Sequence, residues 1–206
     1  MSVKIALCIP TINRADLLNN ALEKYVNNWD RIYIQDNGNQ SITIHPKVKV
    51  LRSQSNLGVS GSWNNLANTC FKLGYTHVAL CNDDVEWYKV QEQVQEYVLN
   101  NLTDFYVGTG TWCNFILPKS TFETVGGFDE QFFPAYFEDN DYCYRMRLAG
   151  LNRINDEFFN PELFRNSQTI ARDKDLNQNF DRNKELFKIK WGGYPQHETY
   201  TTPYGK

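Results

Sequence analysis

Short apolar segments, each broken by a polar cluster and followed by a stretch of helical period, constrain this chain most. Ile5-Ala6-Leu7-Cys8-Ile9 is wholly apolar and is stopped by Pro10. From Ala15 to Asn28, Leu17, Leu18, Ala21, Leu22, Tyr25 and Val26 fall on one helical face. Asn13 stands where it would cap that helix, with Asp16 beside the free amides. A second strand is predicted over Arg31 to Gln35, breaking at the turn-rich Asp36-Asn37-Gly38-Asn39. A third is predicted over Val48 to Leu51, and a fourth over His77 to Cys81, ending in Asn82-Asp83-Asp84. Between the last two, Trp63, Leu66, Ala67, Cys70 and Phe71 mark a helix from Ser60 to Leu73, closed by Gly74. The alternation predicts a mostly parallel α/β sheet with flanking helices, whose ligands sit beyond the carboxyl ends of the strands. The clusters at Thr11 to Arg14, Asp36 to Asn39 and Asn82 to Asp84 all fall there, which argues for one site.

The second half departs from this repeat. Its pattern predicts a helix from Tyr88 to Leu99, strands over Phe105 to Thr109 and Cys113 to Leu117, and a short helix begun by Pro118 in its first position. Gly126-Gly127 makes a turn, and a helix from Glu138 to Ala149 is ended by Gly150. After a polar stretch near Arg165 to Asp175, Leu176 to Trp191 reads as helical, and Gly192-Gly193 closes it before an aromatic tail. With no repeat and no boundary, the 206 residues are expected to form one domain.

Composition excludes several classes. A net charge of -3 without a Lys/Arg run argues against a nucleic-acid surface. The five cysteines are isolated among apolar residues, which predicts reduced core thiols rather than disulfides, and the absence of a Cys-x-x-Cys pair weighs against zinc. No apolar run reaches the roughly 18 residues of a membrane span. The opening Met1-Ser2-Val3-Lys4 lacks a signal region, so a soluble, cytoplasmic protein is expected, with peripheral contact to a membrane-held substrate left open.

Two acidic clusters carry the chemistry. Asp83 and Asp84 leave an apolar strand together, and two carboxylates suffice for a hard cation such as Mg²⁺ or Mn²⁺ when a substrate diphosphate fills its other positions; equally, they cap a following helix. Asp36 would accept the imide hydrogen of uracil or thymine, or simply form a turn. His197 in the tail is either a further metal ligand or a solvent-exposed residue. Glu138 and Asp139 open a helix whose dipole favours their charge, while Phe132, Phe133, Tyr136 and Phe137 would shield them. A shielded carboxylate suits deprotonation of an acceptor hydroxyl, the alternative being an acidic helix cap. Asp141 serves as support, bonded to helix amides or to Arg145. Trp112, Asn114, Phe133, Tyr136 and Trp191 would contact pyranose rings or fill the core.

Ile9-Pro10-Thr11-Ile12-Asn13-Arg14, Gln35-Asp36-Asn37-Gly38, Asn56-Leu57-Gly58, Asn82-Asp83-Asp84, Gly126-Gly127-Phe128-Asp129-Glu130 and Glu138-Asp139-Asn140-Asp141 occur in one order over about residues 5 to 150. Together they resemble the family 2 glycosyltransferases of the A-type (GT-A) fold. The resemblance implies a nucleotide-sugar donor, a glycan or glycoconjugate acceptor, a divalent cation (Mn²⁺ or Mg²⁺) and inversion by single displacement. It implies a nucleotide-binding half at about residues 1–100 and an acceptor-binding half at about 101–206. On this resemblance Pro10, Thr11 and Arg14 would line the nucleotide pocket and Asp36 would read the base. Arg52, Asn56 and Gly58 would lie beside the nucleotide, with Asp83 at the ribose and Asp84 on the metal. Asp139 would be the base, and Glu138 its neighbour or an acceptor ligand beside Trp112, Asn114 and Tyr136. The family's Asp-x-Asp reads here with Asn82 in its first place. A hexosyl UDP-sugar is the expected donor, followed by a nucleotide-rhamnose. The alternatives are a retaining transferase, a sugar nucleotidyltransferase, which Pro10 to Arg14 disfavours by lacking a glycine-rich phosphate loop, and a non-catalytic sugar-binding module.

Overall fold

The computed structural model describes residues 2–101, 104–109, 112–164 and 179–206. The chain begins with β1 (Ile5–Thr11), α1 (Ala15–Asn28), β2 (Ile32–Asp36), β3 (Val48–Arg52), α2 (Gly58–Lys72) and β4 (His77–Cys81). There follow β5 (Val85–Glu86), α3 (Gln91–Asn100), β6 (Tyr106–Val107), β7 (Asn114–Pro118) and α4 (Lys119–Val125). The chain continues through α5 (Glu138–Leu148), β8 (Ile154–Asn155), β9 (Leu163–Phe164) and α6 (Phe180–Trp191). A seven-stranded sheet has the order β3-β2-β1-β4-β7-β6-β8, and β5 pairs separately with β9. Strands β1 to β4 are parallel, whereas β7 runs against both β4 and β6.

Strand periodicity divides the core into two faces. Ile5, Leu7 and Ile9 pack with Leu18, Leu22 and Tyr25 of α1 and Val94 and Val98 of α3. Ala6 and Cys8 point the other way, towards Trp63, Leu66, Cys70 and Phe71 of α2 and Tyr142 and Met146 of α5. A third cluster, Phe132, Phe137, Tyr144, Phe187 and Trp191, fastens α6 to the start and middle of α5. All five cysteines are free, four of them buried. Burial pushes His77 down to about 4, consistent with an uncharged structural residue. Among the described residues no helix is long and apolar enough to cross a membrane.

Several local expectations need correction. Arg14, not Asn13, precedes α1, and no side chain caps it; Asn13 adopts a φ of 54°. Asp36 closes β2 rather than starting a turn after it, because it pairs in register with Thr11 and Arg52. Asn82-Asp83-Asp84 caps no helix: β5 intervenes, drawn into pairing with Leu163 and Phe164, and α3 starts only at Gln91. Pro118 ends β7 and stands just before α4 rather than inside it. Helix α6 begins at Phe180; the expected polar stretch at 165–175 and the residues 176–178 lie outside the described residues.

Candidate functional site

The parallel ladder sets Thr11, Asp36 and Arg52 side by side at the carboxyl edge of β1, β2 and β3. Asp36 is 1% exposed, and each of its oxygens accepts two hydrogen bonds. Oδ1 takes Gly38 N at 2.9 Å and Gln40 Nε2 at 3.3 Å, while Oδ2 takes Gln40 N at 3.0 Å and Arg52 Nε at 3.1 Å. A carboxylate offers about four acceptor positions, so direct reading of a base by Asp36 meets a carboxylate already filled. Its observed work is to fold the loop from Asn37 to Gln40 onto the sheet edge. Gln40 Nε2 also donates to Thr11 Oγ1 at 3.0 Å, and Thr11 donates onward to Asp83 Oδ2 at 2.7 Å.

Asn56-Leu57-Gly58 joins this edge to the second half of the chain. Asn56 Oδ1 accepts from Gly58 N at 2.8 Å, and Asn37 Oδ1 from Leu57 N at 3.2 Å. Gly58 has a φ of +67°, and a Cβ there would lie 2.8 Å from Pro134 O and 2.9 Å from the Phe133 ring. Only glycine satisfies both the left-handed backbone and this approach. Val59 N then donates to Pro134 O at 2.8 Å, which seats the start of α2 against the segment leading to Glu138.

Asp83 and Asp84 are 7% and 5% exposed where β4 exits, beside the entry of β7, whose Asn114 lies opposite Cys81. Two buried carboxylates at the polar edge fit a hard divalent cation as an incomplete oxygen-donor set. Among the described residues no three His, Cys, Asp or Glu side chains converge as a metal cluster, so His197 is not brought to the two aspartates. The tail instead folds back on α6: Thr199 N and Tyr200 N each donate to Trp191 O at 3.0 Å, Glu198 pairs with Arg147 at 2.8 Å, and His197 is exposed. Arg14, 4% exposed, holds Asp16 through Nε and Nη2 at 3.1 and 3.2 Å.

Tyr136 and Phe137, with φ of 76° and 71°, deliver the chain into α5 through two consecutive left-handed residues. Such a conformation costs about 1–2 kcal/mol per residue and persists where its surroundings enforce it. Buried Asn183 of α6 supplies that restraint, donating to Ala135 O at 2.7 Å and more weakly to Phe133 O and Tyr136 O. Glu138 is buried; desolvation first, then the Asp139 charge, lifts its carboxyl well above the usual range. Asp139 is half-buried and faces a cavity of about 480 Å³ lined also by Trp112, Asn140, Cys143, Tyr144 and Arg147. Asn140 donates to Asp139 Oδ1 from both its backbone and side-chain nitrogens at 2.8 Å.

Asp141, fully buried, anchors this helix start. Its Oδ2 accepts from Arg145 at 2.8 Å, and its Oδ1 from Lys190 at 2.6 Å and Trp191 Nε1 at 2.8 Å. Lys190 also pairs with Asp129 at 2.7 Å. Burial alone would raise the Asp129 carboxyl, but Lys190 and Gln131 outweigh it and hold it below the usual value. Sequence reasoning gave Lys190, noted only beside Trp191 and Gly192-Gly193 in the tail, no role of its own and passed over Asn183, an ordinary amide in a polar helix. Trp191, 1% exposed, is core rather than a sugar platform. Trp112 packs on Phe105 and Phe115 while lining the cavity, and Tyr136 meets Phe180 edge-on.

Arg14 Nη1, Gln40 Oε1, Ser60 Oγ, Asn114 Nδ2 and Glu138 Oε2 are buried without a hydrogen-bond partner among the described residues. Arg14 and Gln40 lie in the loops after β1 and β2, and Ser60, Asn114 and Glu138 at the starts of α2, β7 and α5. Trp29 Nε1, Trp63 Nε1, Tyr142 Oη and Arg145 Nη2 are likewise buried without a partner, and each such atom costs about 1–3 kcal/mol.

No family model matches the chain. A galactofuranosyl glycosyltransferase of Leishmania donovani is 44% identical over 43 residues, a match spanning 21% of this chain and 10% of that protein. The mannosyltransferase PcManGT from Pyrobaculum calidifontis, solved with GDP-Man and Mn²⁺, superposes with a TM-score of 0.56 at 12% identity, over 76% of this chain and 55% of that one. The catalytic domain of Drosophila β1,4-galactosyltransferase 7, in complex with xylobiose, gives 0.56 at 13% identity over 97% and 83%. GalNAc-T7 with UDP, GalNAc and Mn²⁺ gives 0.59 at 11% identity over 92% and 50%. The likeness is one of architecture: the seven-stranded, mostly parallel sheet with its flanking helices is the A-type glycosyltransferase fold.

Proposed function

We propose that this chain is a glycosyltransferase of the family 2 type, moving a hexosyl group from a nucleotide-diphospho-sugar to a hydroxyl of a glycan or glycoconjugate with inversion. The observation that carries the reading is the buried pair Asp83 and Asp84 at the exit of β4, with Asp83 linked through Thr11 and Gln40 to Asp36, and with Asp139 facing a cavity. Pro10, Thr11, Arg14, Arg52, Asn56 and Gly58 line the donor side within about residues 1–100, and Asp83 meets the ribose. Asp84, with Asp83, holds Mn²⁺ or Mg²⁺, which when bound neutralises charge on the leaving diphosphate. Arg14 Nη1 donates to the diphosphate, recovering a bond that it lacks in the free protein.

The acceptor side is supplied by about residues 101–206. Both Asn140 bonds fall on Asp139 Oδ1, which leaves Oδ2 to take the acceptor proton. Glu138, whose carboxyl is pushed by burial towards the protonated form, is the proposed hydrogen-bonding partner of a sugar hydroxyl, with Trp112, Asn114 and Tyr136 shaping the rest. Uridine is the proposed donor nucleoside.

Incubation with a panel of nucleotide sugars and Mn²⁺ tests the reading, with the anomer of the transferred sugar followed by NMR. Metal-dependent release or transfer from one donor is expected, with inverted configuration, and Asp84→Asn should abolish the metal dependence. Pyrophosphate formed from a sugar 1-phosphate and UTP would replace this function with a nucleotidyltransferase; absence of any turnover or nucleotide binding would remove it.

A further inference from the structure

The cavity that Asp139 faces is lined by four charged side chains, Asp139, Arg147, Arg153 and Glu198, and only two of them neutralise each other. Glu198 is spent on Arg147 at 2.8 Å, and its other oxygen accepts from Gln196 N at 3.1 Å. Arg147 also lies over the Tyr144 ring, 4.6 Å from its centroid. Asp139 and Arg153 are left without an ion pair among the described residues. Arg153 follows the turn that ends α5, and its backbone is pinned on both sides. Asn152 N donates to Asp104 Oδ2 at 3.2 Å, and Ile154 N to Phe105 O at 2.9 Å, where β8 joins β6. The side chain is exposed, yet it turns back over α5 and donates from Nη1 to Cys143 Sγ at 3.0 Å. Burial holds the Cys143 thiol above its usual pKa against the pull of Arg153, so the sulfur stays neutral. A weak acceptor thus occupies one of five guanidinium N–H groups, and the positive charge is left whole.

We infer that Arg153 binds an anionic substituent of the acceptor, a carboxylate or a phosphate ester carried by the sugar that Asp139 deprotonates, so that the acceptor is an acidic glycan. This inference rests on the transferase reading of the site. Cys143 lies one helical turn from Asp139, about 6 Å along α5, and the Arg153 guanidinium is bonded to it. Base and cation are therefore spaced by about the reach of one substituted sugar ring. A guanidinium offers paired N–H groups that match two oxygens of either anion, and the bonds are charge-assisted. An anion brought this close to Asp139 would otherwise be repelled by it, and Arg153 offsets that repulsion. Because the guanidinium is open to solvent, an acceptor meets it without any rearrangement of the chain.

The test is an NMR titration of the protein loaded with Mn²⁺ and its tightest-binding nucleoside diphosphate. The probes are methyl hexosides, the matching uronides, the uronide methyl esters and the hexoside 6-phosphates. One uronide or one 6-phosphate should bind about tenfold to a hundredfold more tightly than its neutral counterpart, the worth of a charge-assisted hydrogen bond. The esters keep the shape and remove the charge, and the two anionic arms tell a carboxylate from a phosphate. In Arg153→Gln and Arg153→Met the ratio of anionic to neutral binding should fall to within about threefold, and Arg153→Lys should restore part of it. A purely structural role would weaken every glycoside together and keep the ratio, overturning the inference. A parental ratio near one, or no glycoside binding while the nucleotide binds, would overturn it too. A ratio lost in Arg147→Gln but kept in the Arg153 variants would move the anion to Arg147. Weaker nucleotide binding in the Arg153 variants with the ratio kept would give this cation to the donor instead. Binding of no nucleoside diphosphate would remove the transferase reading, and this inference with it.

Discussion

The sheet edge that carries Thr11, Asp36 and Arg52 and the helix start that carries Glu138 and Asp139 are built by opposite means. At the sheet edge, three adjacent parallel strands set the side chains in register, so backbone ladders hold the geometry and side-chain bonds refine it. At the helix start the backbone is itself in an unfavourable conformation at Tyr136 and Phe137. Side chains of α6 hold it there: Asn183 on the preceding carbonyls, Lys190 and Trp191 on Asp141. A site distributed over a ladder loses little when one side chain is cut, whereas a site braced by a buried ionic centre depends on every member of it.

The strongest attack on this contrast is chemical. Asp139→Asn should reduce transfer by roughly 10²–10⁴-fold while nucleoside diphosphate binding stays at the parental level. Loss of both together would mean that the two regions are not separable. Next in size is Lys190→Met, which leaves Asp129 and Asp141 without their shared cation; urea unfolding should show a loss of about 3–5 kcal/mol. A loss below about 1 kcal/mol would show that Arg145 and Trp191 carry Asp141 by themselves.

Gly58→Ala probes the seam between the regions. A left-handed backbone and a Cβ 2.8 Å from Pro134 O should together cost about 2–4 kcal/mol, measurable by the same unfolding experiment. The seam matters for function if nucleotide binding also weakens, and only for stability if it does not. The smallest effect belongs to Glu138→Gln. The Glu138 carboxyl is raised in the folded state, so its contribution to stability is fully present below the ordinary value of 4.5 and is lost as pH rises towards the folded value. The glutamine variant should therefore gain on the parent with rising pH, by about 2–4 °C in Tm for each 1 kcal/mol relieved. Equal midpoint differences at pH 5 and pH 8 would contradict a protonated Glu138.

The two regions also differ in what their sequences disclose. Helix α1 and strand β4 have the ends expected for them, Ala15–Asn28 and His77–Cys81, because each is a local pattern with local punctuation. Strand β5 was invisible, since two residues carry no period and their partner lies at Leu163 and Phe164. Asp36 shows the same limit at a site residue: its sequence neighbours say turn, and only pairing with Thr11 and Arg52 makes it the end of a strand. The acidic clusters could be picked out as candidates, yet the restraint on Tyr136 and Phe137 could not. It comes from Asn183, some fifty residues away, through an ordinary amide in a polar helix. His197 failed for a similar reason, since the tail's backbone bonds to Trp191 O outweigh any draw towards the acidic pair.

The brace formed by Asn183, Lys190 and Trp191 has a consequence for the order in which the protein acquires its abilities during synthesis. The four parallel strands β1 to β4 are complete once the ribosome has passed Cys81, and N-terminal portions fold early. The α6 residues that hold the start of α5 emerge about a hundred positions later. A nascent chain therefore carries its four parallel strands long before the start of α5 can be fixed by α6.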